Sequence, residues 1–426
     1  MLEKILNPNK SDFVKLSQRP VLDNSTLMTG VQTIFNEIKR NRDAAVLNYT
    51  EKLDGIKLSS SVYDITGVNA DSIEIEESLK NAIKLAYKNI YAFHCAQKSS
   101  GIDVETMPGI MCSQRSIPLT RIGLYIPGGS APLFSTVLML AVPALIAGCK
   151  EIILCTPPDG SGSIHPAILY SSLLCGISAI RLAGGAQAIA AMTIGTKDIP
   201  AVDKIFGPGN QYVTAAKQLA QNYNVAIDMP AGPSEVLLYA DATCIPEFVA
   251  ADLLAQAEHG SDSQVILVAN SVWILDKVND HLTIQISNLP RKAIATQALS
   301  HSKAIFIEDV ETAFDFINEY APEHLIIASD KAESYINLIK NAGSVFLGNY
   351  CPESAGDYAS GTNHTLPTNG WAKKYSGVNL DSYMKKVTFQ SITRTGLNNL
   401  GATLITMAEA EHLQGHANAV SVRLNY

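Results

Sequence analysis

The chain has 426 residues, enough for two or three domains with cores of their own. Its formal net charge of -8, with acids and bases interspersed, excludes the basic footprint of a nucleic-acid binder, and 47% apolar residues exclude disorder over most of the length. The seven cysteines are scattered, odd in number and without a C-x-x-C pair, so they read as buried thiols in a reducing compartment rather than a disulfide framework or a thiolate metal site. The first residues, Met-Leu-Glu-Lys-Ile-Leu-Asn-Pro, lack the apolar core of a signal peptide, and a cytoplasmic protein is expected.

Residues up to about Arg19 form a short arm before Pro20. Apolar spacing predicts a helix from Thr26 (Met28, Val31, Ile34, Phe35, Ile38), a second through Ala44, Leu47, Tyr49 and Leu53, and a long one over 72–95. Residues 122–149 carry no charge and are long enough to span a bilayer, but Pro127, Gly128, Gly129, Pro132 and Pro143 would leave backbone groups unpaired in lipid. A buried strand, a glycine turn and a packed helix are expected there. From 121 to 220 short apolar runs alternate with helical segments, the signature of a parallel sheet covered on both faces. A second such unit resumes at Val236, with strands expected near 264–268, 304–307, 324–327 and 344–347. After about Val378 a polar stretch and an amphipathic helix over 400–413 read as a tail with no core of its own.

Four stretches offer chemistry. Residues 228–260 run from a Pro/Gly turn that presents Ser234, through an apolar strand, to Gln256 and His259, three apart on one helical face. Tyr320-Ala-Pro-Glu323-His324 sets a carboxylate beside an imidazole, as two proton removals near neutral pH require; both can serve one site only if Pro322 makes a turn. Pro352-Glu-Ser-Ala-Gly-Asp357 opens a polar, glycine-rich run read as a loop, with Asp357 a hard metal ligand. Glu411-His412-Leu-Gln-Gly-His416 places two histidines at the i, i+4 spacing of a helical metal pair, and spacing does not choose between His412 and His416. Glycines at 128–129, 184–185 and 207–209 mark strand-to-helix turns without the G-x-G-x-x-G fingerprint; the turns suit an anion or nucleotide beyond the carboxyl ends of strands, where Tyr125, Gln187 and Asn210 project.

With these motifs in hand the sequence resembles the histidinol dehydrogenase family from about Ile34 to Val420. The blocks that carry the resemblance are Gly123-Leu-Tyr-Ile-Pro-Gly-Gly129, Gly184-Gly-Ala-Gln187, Phe206-Gly-Pro-Gly-Asn210, Asp228-Met-Pro-Ala-Gly-Pro-Ser-Glu235, Gln256-Ala-Glu-His259, Ala321-Pro-Glu-His324, Ser354-Ala-Gly-Asp-Tyr-Ala-Ser-Gly361 and His416-Ala-Asn-Ala-Val420. The resemblance implies a zinc-dependent, four-electron oxidation of L-histidinol to L-histidine through bound L-histidinal, using two NAD in turn, in the last steps of histidine biosynthesis. It implies zinc ligands at Gln256, His259, Asp357 and His416, which decides against His412. Their N and O donors suit that metal. His324 is implied as the base for the alcohol proton and Glu323 as the activator of water. Ser234, Gln256, His259, His324, Asp357, Glu411 and His416 are implied substrate contacts, and Tyr125, Gln187 and Asn210 NAD contacts.

The resemblance also implies two incomplete Rossmann-like, doubly wound domains and a homodimer in which the C-terminal tail completes the partner's site. The expected division is an arm at 1–20, a discontinuous substrate and zinc domain at 21–124 and 236–378, an NAD domain at 125–235, and a swapped tail at 379–426. Two departures stand out: Asn41-Arg42-Asp43 where the family usually has Gly before Asp, and Ser261 where a Pro is common. No acidic residue for the NAD ribose is evident. The rivals are a zinc- and NAD-dependent dehydrogenase of another amino alcohol, and a non-catalytic zinc or small-molecule binding protein on the same fold.

Overall fold

The computed structural model describes residues 2–19, 25–128, 132–230 and 232–426. Among them the strands are β1 (Glu3–Leu6), β2 (Val62–Asp64), β3 (Ile102–Met107), β4 (Ile110–Pro118), β5 (Arg121–Tyr125), β6 (Glu151–Thr156), β7 (Ala179–Leu182) and β8 (Lys204–Phe206). Then follow β9 (Ala226–Ile227), β10 (Glu235–Ala240), β11 (Gln264–Ala269), β12 (Lys303–Phe306), β13 (His324–Ala328), β14 (Ser344–Leu347) and β15 (Met384–Ile392). They form two six-stranded sheets, in the orders β2-β7-β6-β5-β8-β9 and β1-β12-β11-β10-β13-β14, and a three-stranded sheet β15-β4-β3. The α/β class expected from the alternation of apolar runs and helices is the class observed.

The first sheet is parallel except for β2, which runs antiparallel to β7. Because alternate residues of a strand face opposite ways, Ile122 and Leu124 pack with residues of the Glu77–Ala96, Phe134–Ala147 and Pro166–Leu174 helices, whereas Tyr125, Ile153 and Cys155 pack with those of Ser25–Asp54, Gly185–Ile194 and Gln211–Ala220. The charge-free stretch becomes β5 and the buried Phe134–Ala147 helix. No helix among the described residues is long and apolar enough to cross a membrane.

The second sheet is parallel throughout and covered on one face by the Pro246–Ala257, Val272–Gln285 and Lys292–Ser300 helices and on the other mainly by Val310–Tyr320. The N-terminal arm is its edge: β1 pairs with β12 from Glu3↔Lys303 to Leu6↔Phe306. In each sheet the strand order reverses once, between β5 and β8 and between β10 and β13. Such switch points are where crevices open in doubly wound sheets.

Two expectations need correction. The described part of 21–124 does not join the second sheet. Val31, Phe35, Ile38 and Val46 of the Ser25–Asp54 helix bury against the first sheet, β2 pairs with β7, and β5, through which the expected 124/125 boundary runs, lies inside that sheet. These residues supply the covering layer that the strands of 125–235 need. The tail is also more than a helix, since β15 pairs with β4 over nine residues, from Met384↔Pro118 to Ile392↔Ile110. The chain then forms two helices, Arg394–Ala410 and Gln414–Leu424, separated by a break in which His412 has φ 59°. His412 and His416 therefore do not share one continuous helical face. The two helices expected between 26 and 54 are the halves of Ser25–Asp54, which bends where Arg42 takes φ 51° and ψ -130°.

Candidate active site

The site grows from the switch point of the second sheet, on the side of the strands' amino ends. Glu235 opens β10 and His324 opens β13, where Val236 pairs with His324. Just before β13, Ala321 ends the Val310–Tyr320 helix at φ 52°, and Pro322 follows. Glu323 is thus a turn residue, freed from strand alternation, and its Oε2 lies 3.7 Å from His324 Nδ1. The condition that a turn precede the pair is met.

Glu323 is held from below. Its Oε2 accepts from the Glu235 backbone N–H at 2.9 Å. The Glu235 side chain is bound through both oxygens by Arg19 at 2.7 and 2.8 Å, and Arg19 also donates to the Tyr320 carbonyl and lies 3.7 Å over the Tyr320 ring. A planar guanidinium suits this forked, stacked arrangement. The N-terminal arm thereby braces the residue that braces Glu323.

Three carboxylates surround one imidazole. His324 Nδ1 lies 3.7 Å from Glu323 and 3.8 Å from Glu353, and Nε2 lies 3.5 Å from Asp357, distances that leave both nitrogens without a normal hydrogen bond. Burial pushes the Glu323 and Glu353 carboxyls up to about 8 by disfavouring their charged forms. Burial alone would lower His324, but the charges of Glu353, Glu323 and Asp357 outweigh it and lift the imidazole to about 10. Asp357 is held below the ordinary carboxylate range because its contact with His324 overcomes burial, whereas burial depresses His259 and His364. Near neutral pH these directions leave both glutamates largely protonated and set a protonated His324 against Asp357, and a bound cation would displace those protons.

The residues present fit a bound metal. One donor atom each of His259, Glu353 and Asp357 lies within 4.8 Å of the others. Gln256 ends the Pro246–Ala257 helix beside them. With its amide nitrogen turned to Glu353, it donates to that carboxylate, and its oxygen accepts from Glu235 N–H at 3.2 Å. A borderline cation such as zinc accepts this N and O donor set.

A cavity of about 640 Å³ joins this cluster to the first sheet. Ser234, Gln256, His259, Glu323, His324 and Asp357 line one part of it, and residues 207–210 line another. Gly207 has φ 131°, and a Cβ there would sit 2.1 Å from the Tyr125 carbonyl oxygen, so only glycine lets β8 pass β5 at the switch point. A buried Lys217–Asp228 pair fixes the turn: Gly207 N–H donates to Asp228 at 2.8 Å and Lys217 donates to the Gly207 carbonyl at 2.9 Å.

The remaining expected residues are spread out. Asn210 lines the cavity and caps the Gln211–Ala220 helix, accepting from Tyr212 and Val213 N–H. Tyr125 and Gln187 are buried round the Gly184-Gly185 turn, off the cavity lining, with the Tyr125 hydroxyl accepting from Gly185 N–H at 2.9 Å. Glu411 and His416 are exposed on the tail and do not line the cavity of their own chain. Glu353 was not singled out from the sequence. The run that read as a loop contains the short helix Glu353–Tyr358, which brings residues 353 and 357 onto one face; the i, i+4 acid spacing was the available signal.

A family model described as histidinol dehydrogenase matches residues 17–424. The chain belongs to the histidinol dehydrogenase family. A relative named histidinol dehydrogenase from Bacteroides thetaiotaomicron is 52% identical over 100% of this chain and 99% of its own. One from Arabidopsis thaliana, named as chloroplastic, is 51% identical over 98% of this chain and 90% of its own. The crystal structure of histidinol dehydrogenase from Elizabethkingia anophelis is similar with a TM-score of 0.95 and 55% identity, covering 100% of this chain and 98% of that one.

Proposed function

We propose that the protein oxidises L-histidinol to L-histidine in two steps, through L-histidinal that stays bound, with zinc and two NAD used in succession. The observation that carries this reading is the buried Glu323–His324 pair, two different titratable groups at one end of a cavity that also holds His259, Asp357 and Gln256; a bound cation would drive off their protons and leave both as acceptors. Family membership adds the substrate. His259, Asp357 and Gln256 would hold the metal, with His416 from a second copy of the chain as fourth ligand. When bound, zinc would supply a Lewis acid that orients the substrate and would displace protons from the surrounding carboxyl groups and imidazole.

In the first step His324 would receive the hydroxyl proton of the alcohol while NAD, when bound, would serve as acceptor of the hydride from the carbinol carbon, so that the alcohol becomes histidinal. In the second, Glu323 takes a proton from water as it adds to the aldehyde. That addition would leave a gem-diolate, and loss of a hydride from its carbon to a second NAD would give the carboxylic acid of histidine, which then releases its proton to solvent. Ser234 contacts the substrate, with Glu411 of the second copy. Tyr125, Gln187 and Asn210 hold NAD on the first sheet. An exposed tail that does not reach its own cavity supports a homodimer with exchanged tails. The seven free thiols fit a reducing compartment such as the cytoplasm.

A single-turnover experiment with zinc-loaded protein and excess NAD tests the reading. Two NADH per L-histidinol, with histidine as product, are expected. One NADH with released aldehyde would remove the second step, and no NADH would remove the reading altogether.

A further inference from the structure

Around the Gly184-Gly185 turn the fold buries oxygen atoms that it gives nothing to accept. Asp54 is the last residue of the Ser25–Asp54 helix, so its carboxylate lies at the negative end of the helix dipole. Its Oδ2 is shut off from solvent and has no donor among the described residues, and burial raises the carboxyl above its usual range. Its Oδ1 would lie 3.4 Å from a Cβ on Gly184. On the other side of the turn Gln187 Oε1 is likewise buried without a donor, 2.9 Å from where a Cβ on Gly185 would stand. The Tyr125 hydroxyl belongs to the same group, since it accepts from Gly185 N–H and feels the charge of Asp54. An acceptor buried without a donor costs stability, and a carboxylate at a helix C-terminus adds to the cost.

The place gives these acceptors a use. Gly184 follows β7 and Pro157 follows β6, so the turn lies beyond the carboxyl ends of the first sheet, with β6 between β7 and the β5/β8 crevice. A ligand that donates hydroxyls there would satisfy Asp54 and Gln187 together, and vicinal hydroxyls of a sugar are such donors. A phosphate ester is not, since it would bring an anion to an unpaired carboxylate. We propose that Asp54, with Gln187, receives the ribose hydroxyls of the dinucleotide and selects NAD over NADP. The proposal rests on the reading that the protein uses a nicotinamide dinucleotide.

Calorimetric titration of NAD and of NADP into the wild type, Asp54→Asn and Asp54→Ala tests it, with circular dichroism and melting curves confirming that each variant is folded. The asparagine keeps the shape and removes the charge, so it serves if the alanine variant fails to fold. The wild type is expected to bind NAD more tightly than NADP. Asp54→Asn is expected to weaken NAD by roughly ten- to a hundredfold, the worth of hydrogen bonds to a charged group, while NADP binds as before or better. Three results would overturn the proposal: NAD affinity within about twofold of wild type in a folded variant, equal weakening of NAD and NADP, or a wild type that prefers NADP. The last would point to Arg181 of β7, whose Nε and Nη1 have no partner, as a 2′-phosphate contact. A wild type that binds neither dinucleotide would take the functional reading down with it, whereas unchanged NAD binding in the variants would remove this inference alone.

Discussion

Replacing Glu323 by Gln separates the two oxidations. The amide keeps the size of the side chain and an oxygen to accept from Glu235 N–H, so the Arg19–Glu235 brace and the turn at Ala321 have no reason to move. What it loses is a carboxyl group that burial shifts upward, toward the range in which a general base works near neutral pH. General-base catalysis contributes about 10²–10⁴-fold, or roughly 3–5 kcal/mol of barrier, so oxidation of L-histidinal is expected to fall by that factor. The alcohol step uses His324, which keeps Glu353 and Asp357 as neighbours, and is expected to change only a few-fold. Stopped-flow absorbance of NADH, started from L-histidinol in one syringe set and from L-histidinal in the other, reads the steps apart. One rapid NADH followed by a slow second is the expected trace for the variant. His324→Asn should show the reverse, a slow first step and a second that is less affected. Equal losses in both steps for both variants would refute the division of labour.

Four further outcomes follow from the same geometry. Chelation should abolish turnover and added zinc restore it; full activity in metal-free protein would contradict the donor cluster's role. Metal-free protein should lose stability between pH 6.5 and pH 8, read as a lower urea midpoint. In that window folded Glu323 and Glu353 (about 8) and His324 (about 10) retain protons that the unfolded chain has released, so stability present at lower pH drains as pH rises; a rising midpoint would refute the assignment. Arg42→Gly should stabilise by about 0.5–1.5 kcal/mol, because relief of about 1–3 kcal/mol of backbone strain at φ 51° exceeds glycine's entropy cost and one surface hydrogen bond to the Gly195 carbonyl; an unchanged or lower melting temperature would show that the strain is absent. Mixing His416→Ala with Glu323→Gln subunits should regenerate roughly a quarter of wild-type activity, since random dimers pair one intact body with one intact tail in half of the molecules; no recovery would argue against exchanged tails.

What could be read from the sequence was what is local. The alternation of apolar runs with helices gave both parallel sheets, because strands covered on two faces have no polar positions to interrupt them. Glu323 and His324 were visible as neighbours, and the turn they require is supplied by Ala321 at φ 52° together with Pro322. What escaped depends on distant pairing. β3, β4 and β15 form a sheet whose apolar residues, among them Ile102, Val104, Met111 and Phe389, are exposed in the single chain, so no core pattern marked it. Glu353 escaped because six glycine-containing residues fold as one helical turn against a buried site instead of a loop. Asp54 escaped because the turn it serves follows β7, far along the chain, and only packing of its helix on the first sheet brings them together. The grouping of 21–124 failed for the same reason: apolar periodicity says that a helix has a buried face and not which sheet buries it.

The two sheets are used by opposite ends, and this explains where the carboxylates gather. At the carboxyl end of the second sheet, where a doubly wound fold usually binds its ligand, Asp241 is already satisfied within the chain by Ser329 at 2.5 Å, Tyr335 at 3.2 Å and Thr243 at 2.9 and 2.6 Å. The opposite end faces the cavity. The first backbone N–H groups of a parallel strand point out with no ladder partner beyond them, and Glu235 N–H spends its donor on Glu323. That donor helps the amino end of this sheet hold the Glu323 side chain. The first sheet keeps its carboxyl end open at the β5/β8 switch, where residues 207–210 line the same cavity. The proposed dinucleotide and metal sites would therefore lie at opposite ends of two similar sheets that face one cavity, so that one fold, used twice, would supply two different halves of the site.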